Sequence, residues 1–422
     1  MRFISGVIAL ACAALTAQAQ AIPYIPPPQP VYEAPIDRAL ANVAATEGIE
    51  EAQRERLLGR LNLLAYARDN GNFAYLSDTN ELNEAGAIPC SEAPPPMVRG
   101  GPGGKPQTFP PGARCARLDF NLAPQLEVPE SASRTQGEAG RARLVAAEGH
   151  YARAIALEGE NLRARLGHAY TLDRLGRLNE ARSELRRILQ LGLPQLSGPQ
   201  SNWETHVVLT EAAAHLAHLA RNKADRRKLE QLRARLQASR PMMYVTPIVV
   251  PLTDEPFEAL VDRGARVAFD FAGTGDKRAQ GWLTRHAAWL VWDPQGRGEV
   301  RSGFDLIGAR TWAVFWRDGF EALASLDDDR SGEVAGEELG GLALWRDANR
   351  NGISDPGEVR PLRAHGIVAL STRGASVRPD LISAPGGVRF ADGRTRPLHD
   401  WTPGVAEAVR VASAPALSKL LR

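Results

Sequence analysis

The sequence predicts a multidomain protein: an all-α half of repeated helical hairpins, followed by an α+β half carrying two tandem loops of oxygen-bearing residues. Three observations predict this. At 422 residues the chain exceeds what one core comfortably organises. Apolar residues over 136–192 fall at helical spacing, and the pattern returns 34 residues on, from position 147 to 181. Beyond Arg240-Pro241 the period shortens to β-branched and aromatic runs.

Composition narrows the classes. The chain is 44% hydrophobic and 24% charged with a formal net charge of +2, which suits a soluble globular protein and argues against a nucleic-acid binder. Residues 1–21, MRFISGVIALACAALTAQAQA, read as a secretory signal: one Arg, an apolar run, then two small-residue cleavage sites. The run is shorter than the roughly 20 residues a spanning helix requires, and no later stretch is long or apolar enough. Cys12 does not suit a lipid attachment site, because Ala9 stands where a Leu normally precedes such a cysteine. Export to the periplasm or the extracellular side is therefore expected. There the remaining pair, Cys90 and Cys115, reads as a disulfide that stabilises by roughly 3 kcal/mol.

Residues 22–130 hold a Pro-rich leader, a helical stretch over 36–69 and a Pro/Gly-rich loop. Leu57, Leu58, Leu61, Leu63, Leu64 and Tyr66 form the helical apolar stripe, with charge expected on the other face. The fragment GGPGGKP within the loop lacks phosphate-loop spacing and has Pro106 where that motif needs a hydroxyl.

Residues 131–240 are read as the helical domain. Ala147, Tyr151, Ala154 and Leu157 recur as Ala181, Leu185, Ile188 and Leu191. Residues 162–192, LRARLGHAYTLDRLGRLNEARSELRRILQLG, resemble a tetratricopeptide unit, with Gly176 ending the first helix. The resemblance implies stacked helix–turn–helix pairs whose surface receives a protein or peptide partner. His215 and His218 sit three apart on a helix and read as packing residues, since the sequence around them offers no third ligand.

Residues 241–403 form the α+β domain, with strands expected at 244–252 and 266–271 and a helix over 311–326. Seven of the eight tryptophans lie beyond Gly281, and Asp392-Gly393 marks a hairpin over 388–397. Residues 404–422 read as a short amphipathic helix or tail.

The chemistry concentrates in residues 327–338 (DDDRSGEVAGEE) and 347–358 (DANRNGISDPGE). A calcium loop of twelve residues takes side-chain oxygens at positions 1, 3 and 5, a Gly at 6, a carbonyl at 7 and a bidentate Glu at 12. The first stretch offers Asp327, Asp329, Ser331, the Glu333 carbonyl and Glu338 around Gly332. The second offers Asp347, Asn349, Asn351, the Ile353 carbonyl, Asp355 and Glu358 around Gly352. Both resemble EF-hand loops. They start 20 residues apart, at 327 and 347, which leaves no room for two full helices between them. The region 245–401 is similar to the calcium-repeat modules of exported bacterial proteins, which implies Ca2+ held as a structural staple. Two earlier positions have decayed: Ala272 replaces an acid in the turn from Asp270, and Arg297 and Phe304 occupy ligand positions of the turn from Asp293.

No HExxH, GxSxG, CxxC or dinucleotide fingerprint occurs, and no catalytic residue is nominated. The sequence thus points to calcium ion binding by an exported protein-interaction scaffold. The alternative is a secreted carbohydrate-active or cell-wall enzyme with non-obvious catalytic residues.

Overall fold

The structure, a computed structural model, describes residues 34–69, 88–89, 114–115, 138–196, 203–238, 245–271 and 277–404. The signal at 1–21, Cys90, the loop over 92–112 and the tail from 405 lie outside these residues. Cys115 is described only through the backbone of a two-residue ladder, β1 (Ile88–Pro89) with β2 (Arg114–Cys115).

The N-terminal half is helical. The stretch read as one helix divides into α1 (Ile36–Ala45) and α2 (Glu51–Asp69), broken at Gly48 with φ +81°. Then follow α3 (Glu138–Leu157), α4 (Leu162–Arg174), α5 (Leu178–Gln195), α6 (Trp203–His218) and α7 (Lys223–Ala238). Asn161 starts α4 by accepting the Ala164 N–H on its side-chain oxygen at 2.9 Å. Gly176, at φ +82°, ends the turn after it, where a side chain would be strained.

Each helix from α2 onward packs on the next. Tyr151 of α3 lies against both Gly59 of α2 and Gly167 of α4. A Cβ at Gly59 would come within 2.9 Å of the ring, and one at Gly167 within 2.3 Å. Gly167→Ala is therefore expected to lower stability by about 1–3 kcal/mol through overpacking, despite the better helix propensity of Ala. A denaturant midpoint equal to or above the parent's would contradict this.

The C-terminal half is an antiparallel sheet. Its strands are β3 (Ile248–Pro251), β6 (Ala287–Trp292), β7 (Glu333–Ala335), β8 (Leu342–Trp345), β9 (Val359–Pro361), β10 (Ile367–Ser371), β11 (Ala375–Arg378), β12 (Leu381–Phe390) and β13 (Thr395–Trp401). They run in the order β7-β10-β12-β13-β3-β6-β8-β9, with β11 added on β12. The Asp392-Gly393 hairpin joins β12 to β13, with Gly393 at φ +85°. A separate hairpin pairs β4 (Val261–Phe269) with β5 (Arg278–Leu283).

The central strands are buried on both faces, and strand alternation divides their side chains between two cores. Ile248, Val250, Leu290, Leu342, Leu344 and Leu398 join Ile36, Val43 and the α2 leucines in one. Val249, Trp289, Val291, Trp345 and Trp401 join Phe269, Phe271 and Trp282 of the β4–β5 side in the other. Trp282 and Trp289 are fully buried there, with ring centroids 5.5 Å apart and near-perpendicular. The helical half is thus one cover of the sheet.

The expected helix over 311–326 is corrected. Thr311–Ala313 is a short 3₁₀ turn, and only Gly319–Ala324, which follows the four-residue α8 (Phe257–Leu260) in the numbering as α9, is α-helical. Trp312, Ala313 and Phe315 have φ of 55°, 58° and 63°, a region that bulky residues avoid. The reason is the division of the aromatics. Trp312 and Trp316 enter the core shared with α1 and α2, while Phe315 enters the core of α4 to α7. One helical face cannot serve both.

The charged face expected on α2 is likewise corrected. Arg56 and Arg60 are 4% and 2% exposed. Arg56 donates to the Phe315 carbonyl at 2.7 Å, and Arg60 to the Ala313 carbonyl at 3.0 Å. Burial and the neighbouring Arg163 lower the Arg56 pKa to about 10. This face of the helices is therefore covered by the chain's own C-terminal half.

A buried acid ties α9 to the sheet. Asp400 of β13 is 2% exposed and accepts the Gly319 N–H at 2.5 Å. Burial, reinforced by the charge of Asp318, pushes its carboxyl well above the ordinary range. Because the folded state then holds a proton that the unfolded state releases, this group's stabilisation is complete below the unfolded carboxylate range. It is lost as pH rises toward the folded value. Asp400→Asn should therefore melt higher than the parent at pH 8 and converge with it near pH 4. Parallel melting curves across that span would rule this out.

Candidate metal centre

Residues 327–338 begin directly after α9, where buried Leu326 anchors the chain. Asp327, 6% exposed, accepts the Ser331 N–H at 3.0 Å and the Gly332 N–H at 2.9 Å on its two oxygens. These bonds turn the chain through Arg330 at φ +59° and Gly332 at φ +87°. Asp329 accepts the same Ser331 N–H at 2.9 Å, and the Ser331 hydroxyl donates to the Glu333 carbonyl at 3.1 Å. Glu338 folds back over the loop. It accepts the Asp328 N–H at 2.6 Å on one oxygen and the Ala335 N–H at 2.9 Å on the other.

The result is convergence: Asp327, Asp329 and Glu338 bring ligand oxygens within 4.8 Å of one another. Among the described residues this is the one such group of three or more His, Cys, Asp or Glu side chains. Burial, with the Glu338 charge adding to it, raises the Asp327 pKa against the pull of the Gly332 and Ser331 amides. Asp328 points the other way. Burial opposes its charge, but Arg38 and Asn42 of α1, at 2.7 and 2.8 Å, outweigh it and hold the carboxyl below its usual range. Asn42 also donates to the Ser325 carbonyl at 2.9 Å, so α1 braces the back of the loop.

Residues 347–358 repeat the turn. Asp347 accepts the Asn351 N–H at 3.1 Å and the Gly352 N–H at 2.8 Å, with Arg350 at φ +61° and Gly352 at φ +71°. Gly352 is required on a second count, since a Cβ there would lie 2.6 Å from the Ala268 carbonyl. Asp355 accepts amide hydrogens from Asn349 at 2.7 Å and Asn351 at 3.0 Å. Glu358 accepts the Ala348 N–H at 2.8 Å, the Asp355 N–H at 3.1 Å and the Trp345 indole N–H at 3.3 Å. The last bond ties this loop to the aromatic core. Burial, with Glu358 contributing, raises the Asp347 pKa. The Ile353 side chain is 54% exposed, and its N–H goes to the Asn351 side chain at 2.7 Å.

A third copy of the turn shows which parts are architecture. Asp293 accepts the Arg297 N–H at 2.8 Å and the Gly298 N–H at 2.9 Å, with Gly296 and Gly298 at φ +62° and +71°. Its later ligand positions are Arg297 and a fully buried Phe304. An Asp at position 1 thus builds this turn whether or not the rest of a ligand set follows. The other carboxylates and amides distinguish the two later loops. The turn from Asp270 runs into residues 272–276, outside those described.

The flanks depart from a helix–loop–helix pair. Position 8 of the first loop, Val334, is in β7 and pairs with Leu370 of β10 rather than with the second loop. A 3₁₀ turn (Gly336–Leu339) and strand β8 connect the loops. In the helical half, Asp173 lies 3.3 Å from His215, a partner that the sequence around the histidines did not reveal. Burial, with His215 beside it, lowers the His218 pKa to about 4, and these side chains do not converge as a metal group.

A match to a known protein family falls in this half. Residues 248–402 match the SPM domain. The chain is also similar to Iron-regulated protein FrpA of Neisseria meningitidis serogroup C, at 30% identity over 165 residues. That similarity covers 36% of this chain and 15% of the relative, so the chain spans a small part of its length. The SPM match holds both later loops, the Asp293 turn and the sheet with its aromatic core. No described helix is long and apolar enough to cross a membrane.

Proposed function

We propose that the C-terminal half binds calcium ions at residues 327–338 and 347–358, within an exported scaffold whose helical half engages a protein or peptide partner. The convergence of Asp327, Asp329 and Glu338 carries this reading. The donor chemistry fits a hard cation, because every candidate ligand is an oxygen. Asp327, Asp329, Ser331, the Glu333 carbonyl and Glu338 would hold one ion. Asp347, Asn349, Asn351, the Ile353 carbonyl, Asp355 and Glu358 would hold the other, the two amide nitrogens giving up their bonds to Asp355 as that carboxylate turns to the ion.

Bound calcium supplies positive charge to carboxylates whose burial and mutual repulsion otherwise oppose ionisation. The protein's part is to hold those oxygens ready. Position-1 Asp side chains fix the turn, α1 draws Asp328 aside, and Trp345 orients Glu358. Affinity on the order of 10⁻⁴–10⁻³ M, as in extracellular modules, is expected.

A thermal melt tests the reading. At tenfold excess over Kd, each loop should add about 1.4 kcal/mol, a rise of about 3–6 °C for a domain of this size. Identical melts in calcium and in chelator would contradict it.

A further inference from the structure

Several arginines along the α3–α5 side of the helical half are neutralised by carboxylates. Arg143 pairs with Asp37, Arg153 with Glu55, Arg165 with Glu184, and Arg177 with Glu148 and Glu180. The groove between α5 and α7 is different. It has a volume of about 520 Å³, and its rim carries Arg182, Arg186, Arg221 and Lys228. Among the described residues, no carboxylate pairs with any of these four. Arg182 donates to the Leu219 carbonyl at 2.8 Å and to the Asn179 side-chain oxygen at 3.1 Å. Arg221 donates to that same Asn179 oxygen at 2.8 Å, so one amide holds two guanidiniums side by side. Asp225, the one acid lining the groove, receives the Asn222 side-chain amide at 2.7 Å.

The floor is apolar, built from Leu189, Leu216, Leu229 and Leu232. The excess of positive charge is local. Helix α7 carries six cations against two acids, while the whole chain has a formal net charge of only +2. A second, shallower cavity over the α4–α5 turn shares Asn179, Arg182 and Arg221 and is also lined by the paired Arg177 and Glu180.

We propose that this groove binds an acidic peptide segment of a partner protein, its carboxylates on the four rim cations and an apolar side chain on the leucine floor. The proposal rests on the scaffold reading above and names the partner's chemistry. Charge complementarity selects an anion, and bidentate guanidinium geometry suits carboxylates. A leucine floor favours a peptide carrying side chains of its own over a polynucleotide, whose affinity comes mainly from its phosphates.

Fluorescence anisotropy on the full chain tests this with a panel of short labelled peptides that alternate Glu pairs with Leu. Counterparts with Gln for Glu and a labelled oligothymidylate complete the panel. The acidic peptides should bind, with Arg186→Glu/Lys228→Glu weakening them by about tenfold or more. Both substituted side chains are exposed, so the fold is expected to survive. Equal binding of the Gln counterparts, tighter binding of the oligothymidylate, no binding of any acidic member, or an unaffected double variant would each overturn the proposal. Running each titration in calcium and in chelator, alongside the melts, separates this result from the calcium reading.

Discussion

Phe315→Ala should destabilise the protein by about 3–5 kcal/mol and split a single unfolding transition into two. The ring is 2% exposed and sits in the core of α4 to α7, although its residue belongs to the C-terminal half. Three guanidiniums lie over it: Arg310 at 4.5 Å, Arg60 at 4.9 Å and Arg163 at 5.5 Å from the centroid. Truncation removes the apolar contact and leaves a cavity beneath these three guanidiniums. It also weakens the attachment of the backbone carbonyls that Arg56 and Arg60 hold. Calorimetry would show the coupling directly. A variant that still melts in one transition, less than about 1 kcal/mol below the parent, would refute it.

Glu338→Gln and Glu358→Gln should each remove one calcium-dependent increment of stability while changing the calcium-free protein much less. Glutamine keeps one acceptor oxygen for the loop amides that each glutamate now serves. It gives up the charge and the bidentate ligation that an ion requires at position 12. Alanine would confuse the two effects by also leaving those amides without an acceptor. The loss of affinity should reach about tenfold or more at the altered loop, or about 1.4 kcal/mol. The pH dependence has a definite sign. Burial raises the carboxyl pKa values of Asp327 and Asp347, so the calcium-free protein gains stability from these groups as pH falls, while protons displace calcium. The calcium increment should therefore shrink on acidification, and melts in calcium and in chelator should converge.

Local features were legible in the sequence where local physics decides them. The 34-residue recurrence gave the helices around Tyr151 and Leu185, and Asp392-Gly393 gave the β12–β13 turn. The oxygen spacing of 327–338 and 347–358 anticipated two similar turns with positive φ at Gly332 and Gly352. What could not be read was any residue whose environment is set from far along the chain. Arg56 and Arg60 look like a solvated face of α2 because the carbonyls that bury them are more than 250 positions away. Trp312, Trp316 and Phe320 fall at helical spacing, yet two separate cores divide the segment and break the helix. Asp173 was missed beside His215 for the same reason, the pair being 42 residues apart. Even the Asp293 turn shows the limit of pattern alone. Its backbone persists where Arg297 and Phe304 have removed the ligands.

Isothermal titration of the metal-stripped protein with calcium chloride is the most direct test. Two sites, falling to one in either glutamine variant and to none in the double variant, are the predicted result. A parent protein that takes up no calcium at millimolar concentration while remaining folded would contradict the reading.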